Sequence, residues 1–153
     1  DKYDYILIDC HPDFSTATKN AIIVSNDILS PITPSEYGYK AKYNLQERLK
    51  ELSEEAIDFT SHKSYVTANL YFLANMLKHN TTSSRELLDS LKDEKQSGDN
   101  SCIAYIPYKE LFNKSELNKI SLSEMAKDHK LAIQQRKFFD EIFKTFEGIE
   151  NKL

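Results

Sequence analysis

Short apolar runs alternate with amphipathic stretches along this chain, and the alternation predicts a parallel α/β sheet. Tyr5–Ile8, inside the run 3–9, is apolar without interruption, as a strand buried on both faces should be. Asp13-Phe14-Ser15-Thr16 offers several helix caps, and Ala17–Ser25 reads as a short helix. A second strand is expected over 27–32, closed by Pro31 and Pro34. From Tyr39 to Ala56, Ala41, Leu45, Leu49, Leu52 and Ala56 recur at helical spacing. A third strand is expected over 64–70 and a polar loop from Asn69 to Ser83. Leu87, Leu88 and Leu91 mark a helix over 84–92, and 102–106 reads as a fourth strand ended by Pro107. Tyr108–Asn113 reads as a short helix or turn. From Ser121 to Gly148 the pattern is helical, with a break near Asp128 and a stripe of Leu131, Phe138, Ile142, Phe143 and Phe146. The expected fold is a doubly wound, mostly parallel sheet whose four strands run in one direction, followed by a C-terminal helical segment. One domain is expected, with an α/β portion over 1–110 and C-terminal helices over 111–153.

Composition narrows the setting. The chain has 153 residues, 40% of them hydrophobic, with eight Phe and nine Tyr, enough for a real core. A net charge of −4 argues against a globally basic nucleic-acid binder but permits a local basic patch. No run is as long and apolar as a membrane span, so no membrane association is expected. Cys10 and Cys102 form neither a disulfide framework nor a zinc motif, which fits a reduced, cytoplasmic environment. The three glycines, Gly38, Gly98 and Gly148, belong to no GxxxxGK[ST] loop.

The candidate chemistry begins at Asp9, where the first apolar run ends in a carboxylate and a proline turn. In a parallel sheet, ligands collect at the carboxyl ends of strands. An Asp there can hold a divalent cation, directly or through water, or it can cap the next helix; the residue alone admits both readings. Asn69 can hydrogen-bond a base edge or merely terminate a strand. His11 could titrate near neutrality, but a single turn histidine is more simply a hydrogen-bonding residue. Cys10 reads as a small buried residue. Lys127, Lys130, Arg136 and Lys137 are basic residues in the C-terminal segment, interrupted by acids.

Ile8-Asp9-Cys10-His11-Pro12 resembles the Walker B segment of the ParA/MinD-like (deviant Walker) ATPases, with His11 where the family pattern has a proline. Asp27–Ile32, Tyr65–Asn69 and Cys102–Pro107 resemble the family's later strands in order and spacing. The match runs over about 3–110 and is closest to the plasmid and chromosome partition ParA (Soj-like) branch. The resemblance implies a P-loop NTPase-like fold seen from Walker B onward, with the phosphate loop upstream. It implies ATP and Mg2+ as cofactors, with Asp9 as the catalytic carboxylate reaching the metal through water. It places Asn69, Ile106, Pro107 and Tyr108 around the nucleotide and makes Lys127, Lys130, Arg136 and Lys137 candidates for non-specific DNA contacts. Its further implications are an ATP-dependent homodimer in the intact protein, a centromere-binding partition partner and DNA segregation. The chain by itself is expected to be inactive. A MinD-like or other regulatory ATPase is the related alternative. A phosphorylation-receiver domain, with Asp9 as phosphoacceptor, is the alternative of another class.

Overall fold

The computed structural model describes residues 2–128 and 131–153. It is an α/β fold built on a parallel three-stranded sheet in the order β1-β2-β3. The elements run α1 (Thr16–Val24), β1 (Asp27–Ile32), α2 (Glu36–Glu55), β2 (Asn69–Leu77), α3 (Thr82–Gln96) and β3 (Cys102–Pro107). The C-terminal helices are α4 (Glu110–Asn118), α5 (Leu122–Met125) and α6 (Ile133–Glu150). Among the described residues no helix is long and apolar enough to cross a membrane.

Strand β2 is the centre of the sheet and its two faces are covered by different helices. Phe72 and Ala74, both fully buried, pack with Ile32 of β1 and with Leu87 and Leu91 of α3. Tyr39 and Leu45 bring α2 onto the same face. Leu73 points to the other face, where Ile106, Leu111, Phe138, Phe139 and Ile142 join α4 and α6 to the sheet. The period-2 alternation of a strand thus divides one core into two layers. Of the aromatic stripe expected in the C-terminal segment, Phe138 and Phe143 belong to the core, where Phe112 meets Phe138 edge to face with ring centroids 5.7 Å apart, whereas Phe146 is exposed.

Two strand expectations are corrected. The run 3–9 is not a strand of this sheet; it has no regular secondary structure, with Ile6 82% and Leu7 93% exposed. A strand apolar on both faces needs a hydrogen-bonding neighbour and cover above and below. The free edge nearest in topology is β1, and a cleft separates it from residues 8–13. Cys10, expected to be buried, is exposed for the same reason. The third strand is Asn69–Leu77 rather than 64–70. Residues 57–64 instead make a tight turn closed by the isolated antiparallel bridge Ile57–Ser64. Within that turn Asp58 Oδ1 accepts from the N–H groups of Thr60 and Ser61.

The N–H of Asn69 donates to the carbonyl of Asn26 at 3.0 Å. In a parallel ladder, alternate residues then aim their main-chain groups the same way: Asn26, Ile28 and Ser30 toward β2, and Asp27, Leu29 and Pro31 toward the open side. Pro31 has no N–H to offer, so it is tolerated at that open edge.

The most unusual core residue is Lys42 of α2, 1% exposed beneath the sheet. Its ammonium donates to Glu94 and to Asp99 Oδ2, the latter at 3.3 Å, and lies 5.3 Å from the Phe72 ring centroid. Burial pulls the Lys42 pKa down, but bonding and charge from Glu94 and Asp99 outweigh it and hold it above the ordinary 10.5. Asp99 is held below 3.8, chiefly by hydrogen bonding from Ser101, whose N–H donates at 2.8 Å. A raised lysine contributes stability in full below its unfolded pKa and loses it as pH rises through the folded value. A depressed carboxyl contributes above its unfolded pKa and loses that as pH falls through the folded value. The melting point of the native chain, relative to Lys42→Met, is therefore expected to be flat between about pH 5 and 9. It should fall relative to the variant above 10.5. Thermal melts of both proteins across that range check this; a constant difference up to pH 12 would show that Lys42 makes no such contribution.

Candidate functional site

Asp9 stands on the wall of a cleft of about 820 Å³. One side is the irregular segment Ile8–Phe14, which bends at Pro12 and Asp13, and the other is β1 from Asp27 to Pro31. α1 contributes Ala21 and Ile22, and α2 contributes Leu45 and Arg48. The segment is tied to the start of α1 by a small polar cluster. Asp13 Oδ1 accepts from the Thr18 hydroxyl at 3.2 Å and from the Ser15 N–H at 3.3 Å. Hydrogen bonding by Ser15 is the main cause holding the Asp13 carboxyl below the usual range. His11 Nδ1 lies 3.6 Å from Asp13 Oδ2, and both side chains are exposed. The guanidinium of Arg48 stacks 5.4 Å from the Phe14 ring centroid and closes one end. Asp13, not Asp9, is the carboxylate that serves the turn before α1.

The Asp9 carboxylate itself is exposed, and no hydrogen bond or ion pair of it is found among the described residues. It is therefore open to a ligand. No group of three or more His, Cys, Asp or Glu side chains able to hold a metal exists among the described residues, so a dedicated metal cage is not what the fold offers. A single carboxylate beside a cleft does fit Mg2+, which keeps several waters and takes few protein ligands alongside phosphate oxygens.

The other expected site residues lie elsewhere. Ile106, Pro107 and Tyr108 sit at the carboxyl end of β3, and none of them lines the Asp9 cleft. Asn69 starts β2 at the opposite end of the sheet, paired in register with Asp27, and its side-chain amide donates to Asp27 Oδ1 at 2.9 Å. The fold therefore does not bring Asn69 together with Ile106–Tyr108. The strand 64–70 read from the sequence made Asn69 a carboxyl-terminal residue; the true strand makes it an amino-terminal one.

The residue that does occupy the carboxyl end of β2 is Asn75, which the sequence reading passed over. The register between β2 and β3 shifts between Ala74 and Leu77, where Asn75 and Met76 oppose Ile106 alone. This is a β-bulge, and Met76 adopts the left-handed conformation with φ 57°. Asn75 Oδ1 accepts from the Met76 N–H at 2.8 Å and supports the bulge. The extra residue also returns Leu77 to the face of Phe72 and Ala74. Next to it, Tyr108 N–H donates to the Leu77 carbonyl at 2.8 Å. The Lys78 ammonium lies 5.2 Å from the Tyr108 ring centroid. Asn75, Lys78, Pro107 and Tyr108 thus share the carboxyl edge where parallel sheets bind ligands. A lone Asn inside the apolar run Leu70–Leu77 is the signal in the sequence that could have found this place.

Of the basic residues considered for DNA, Lys127 is exposed after α5, and Lys130 lies outside the described residues. Arg136 and Lys137 are exposed in the first turn of α6, where Asp140 and Glu141 follow each of them four residues on. That spacing places opposite charges side by side on the helix surface.

Residues 1–63 match the model of a family described as an AAA domain. Two curated relatives from Pseudomonas putida, described as an uncharacterized protein and an uncharacterized protein in gidB 3'region, are each 36% identical over 53 residues. The match takes in 35% of this chain and 20% of each relative, so the chain spans about a fifth of the length of the curated relatives it matches. No solved structure matches. The stretch that carries Asp9 and lines the cleft is thus similar to a P-loop NTPase-like AAA domain of the ParA/MinD kind.

The bulge gives a test of the carboxyl edge. A left-handed backbone costs a non-glycine residue about 1–2 kcal/mol, part of which glycine returns through its own chain entropy. Met76→Gly is expected to leave stability unchanged or raise it by up to about 1 kcal/mol, and Met76→Val to lower it by more than about 1 kcal/mol. Urea denaturation of the three proteins checks the order; equal midpoints for Gly and Val would show that residue 76 does not hold the bulge.

Proposed function

We propose that this chain is part of a ParA-like ATPase that binds ATP and Mg2+ and drives plasmid or chromosome segregation. The observation that carries the reading is Asp9: an unpartnered carboxylate at the end of an apolar segment, facing a cleft, inside the stretch similar to an AAA domain. In the intact protein Asp9 would hold a hydrated Mg2+, which would supply charge neutralisation at the phosphates. Phosphoryl transfer is governed by positioning and electrostatics, so Asp9 acts as an acceptor that orients the metal's water shell and His11 is not needed as a base.

The carboxyl edge of β2 and β3 supplies the second part of the pocket. Asn75 takes the role first assigned to Asn69, because its amide offers both a donor and an acceptor to a base edge. The main chain at Ile106 and Pro107 and the ring of Tyr108 form the adjoining wall. ATP-dependent dimerisation, non-specific DNA binding through Lys127, Arg136 and Lys137, and stimulation by a centromere-binding partner belong to the same proposal. The acids near those basic residues support a weak, salt-sensitive DNA contact rather than a tight one.

The test uses the intact protein. Asp9→Asn is expected to lower ATP turnover by about 10- to 100-fold, the range for groups that act on a metal through an outer shell, with the fold intact by circular dichroism. Asn75→Ala is expected to weaken nucleotide binding without that loss of turnover at saturation, and Asn69→Ala to leave binding unchanged. The 153-residue chain alone should show no magnesium-dependent hydrolysis. Native turnover in Asp9→Asn would remove this residue from the mechanism.

A further inference from the structure

Tyr39, Lys42 and Tyr43 of α2, Ser90 and Glu94 of α3, and Asp99 of the turn before β3 form one continuous polar network. Tyr39 donates to Glu94 Oε1 at 2.9 Å and contacts the Ser90 hydroxyl. The Tyr43 hydroxyl lies 3.0 Å from the same carboxylate oxygen. Lys42 completes the network from below, against the face of Phe72.

The network is not what an apolar core needs. Replacing a buried ion pair as a whole, both partners together, by apolar groups of similar size is often neutral or stabilising, so an all-apolar set could cover Phe72 as well. What the ions add is geometry. The Lys42 ammonium is satisfied only where Glu94 and Asp99 are both in reach, which fixes α2 across α3 at one spacing. Tyr39 and Ser90 are also the inner end of a groove of about 370 Å³ between the two helices. It is also lined by Ser35, the N-cap of α2, by Glu36 of α2 and by Ser83 and Glu86 of α3. These lie at the starts of helices whose preceding loops, 33–35 and 78–81, leave the carboxyl edge of the sheet.

We infer that Lys42 is a positioning residue: its double pairing with Glu94 and Asp99 sets the spacing of α2 and α3 and so the gap between the two carboxyl-edge loops. That those loops belong to a nucleotide pocket rests on the function proposed above. The spacing itself does not, and its test needs no ligand, so the failure of one leaves the other standing.

The experiment is amide hydrogen exchange on the 153-residue chain, comparing the native protein with Lys42→Met and Glu94→Gln. Lys42→Met leaves Glu94 and Asp99 without their cation and is expected to melt below the native protein. Its amides over 35–40 and 83–88 should accelerate at least about ten-fold more than those over 102–106 and 138–149. Glu94→Gln should show the same local pattern with a lower melting point, because Lys42 keeps its charge and loses its main partner. Unchanged exchange at those amides in Lys42→Met overturns the inference. So does a rise spread evenly over the chain, which would make the network a general stabiliser. Should Lys42→Met not fold, Glu94→Gln decides alone: a local rise supports the assignment, and an even or absent rise overturns it.

Discussion

The structure depends on the burial of β2. Parallel strands cannot be joined by tight turns, so each connection must cross a face of the sheet, and here every crossing is helical. The two crossings, α2 and α3, seal one face of the central strand, where Phe72 and Ala74 are fully buried, and the C-terminal helices α4 and α6 seal the other, toward which Leu73 turns. Large-to-small changes at such a site remove both transfer energy and packing, about 3–5 kcal/mol for a buried phenylalanine. The same topology collects the loops after all three strands at one edge. Core and candidate pocket are therefore two outcomes of one constraint.

Much of this was legible in the residues. The class of fold, the parallel direction, β1 and β3, and the aromatic packing of the C-terminal helices follow from runs and periods that hydrophobic burial enforces. The misplacement of β2 has a specific cause. Leu70-Tyr71-Phe72-Leu73 is apolar, but Asn69, Asn75 and the polar run 78–84 around it read as loop chemistry. The asparagines are explained by positions the residue type alone does not reveal: one begins the strand and one supports a bulge. Lys42 was missed for a similar reason. The helical stripe was counted through Ala41, which is exposed, because a lysine carries no apolar signal, and its burial depends on two carboxylates more than fifty residues away.

The candidate site was less legible than the fold because it is made of two places. The stretch around Asp9 stands out in the sequence because a strand-like run ends in a carboxylate. The carboxyl edge of β2 and β3 stands out only once the register is known. An error of a few residues in β2 moved Asn69 from one end of the sheet to the other, a displacement of several residues at about 3.3 Å each. Sheet position amplifies boundary errors in this way: a residue shifted along a helix stays near its neighbours, whereas one shifted along a strand changes ends.

The separation of those two places also bears on how a ligand would be held. A nucleotide is an extended molecule, with a base that asks for donor and acceptor groups and phosphates that ask for positive charge and a metal. The carboxyl edge offers the first set through Asn75 and the main chain at Pro107. Asp9, negative and unpartnered, repels phosphate unless a cation lies between them. The carboxylate is then useful only as part of a ternary arrangement with metal and phosphate. Base recognition at the β2–β3 edge needs no such cation. Under the proposed function, nucleotide affinity and turnover would therefore respond to different residues, Asn75 and Asp9, because the two sites differ in charge.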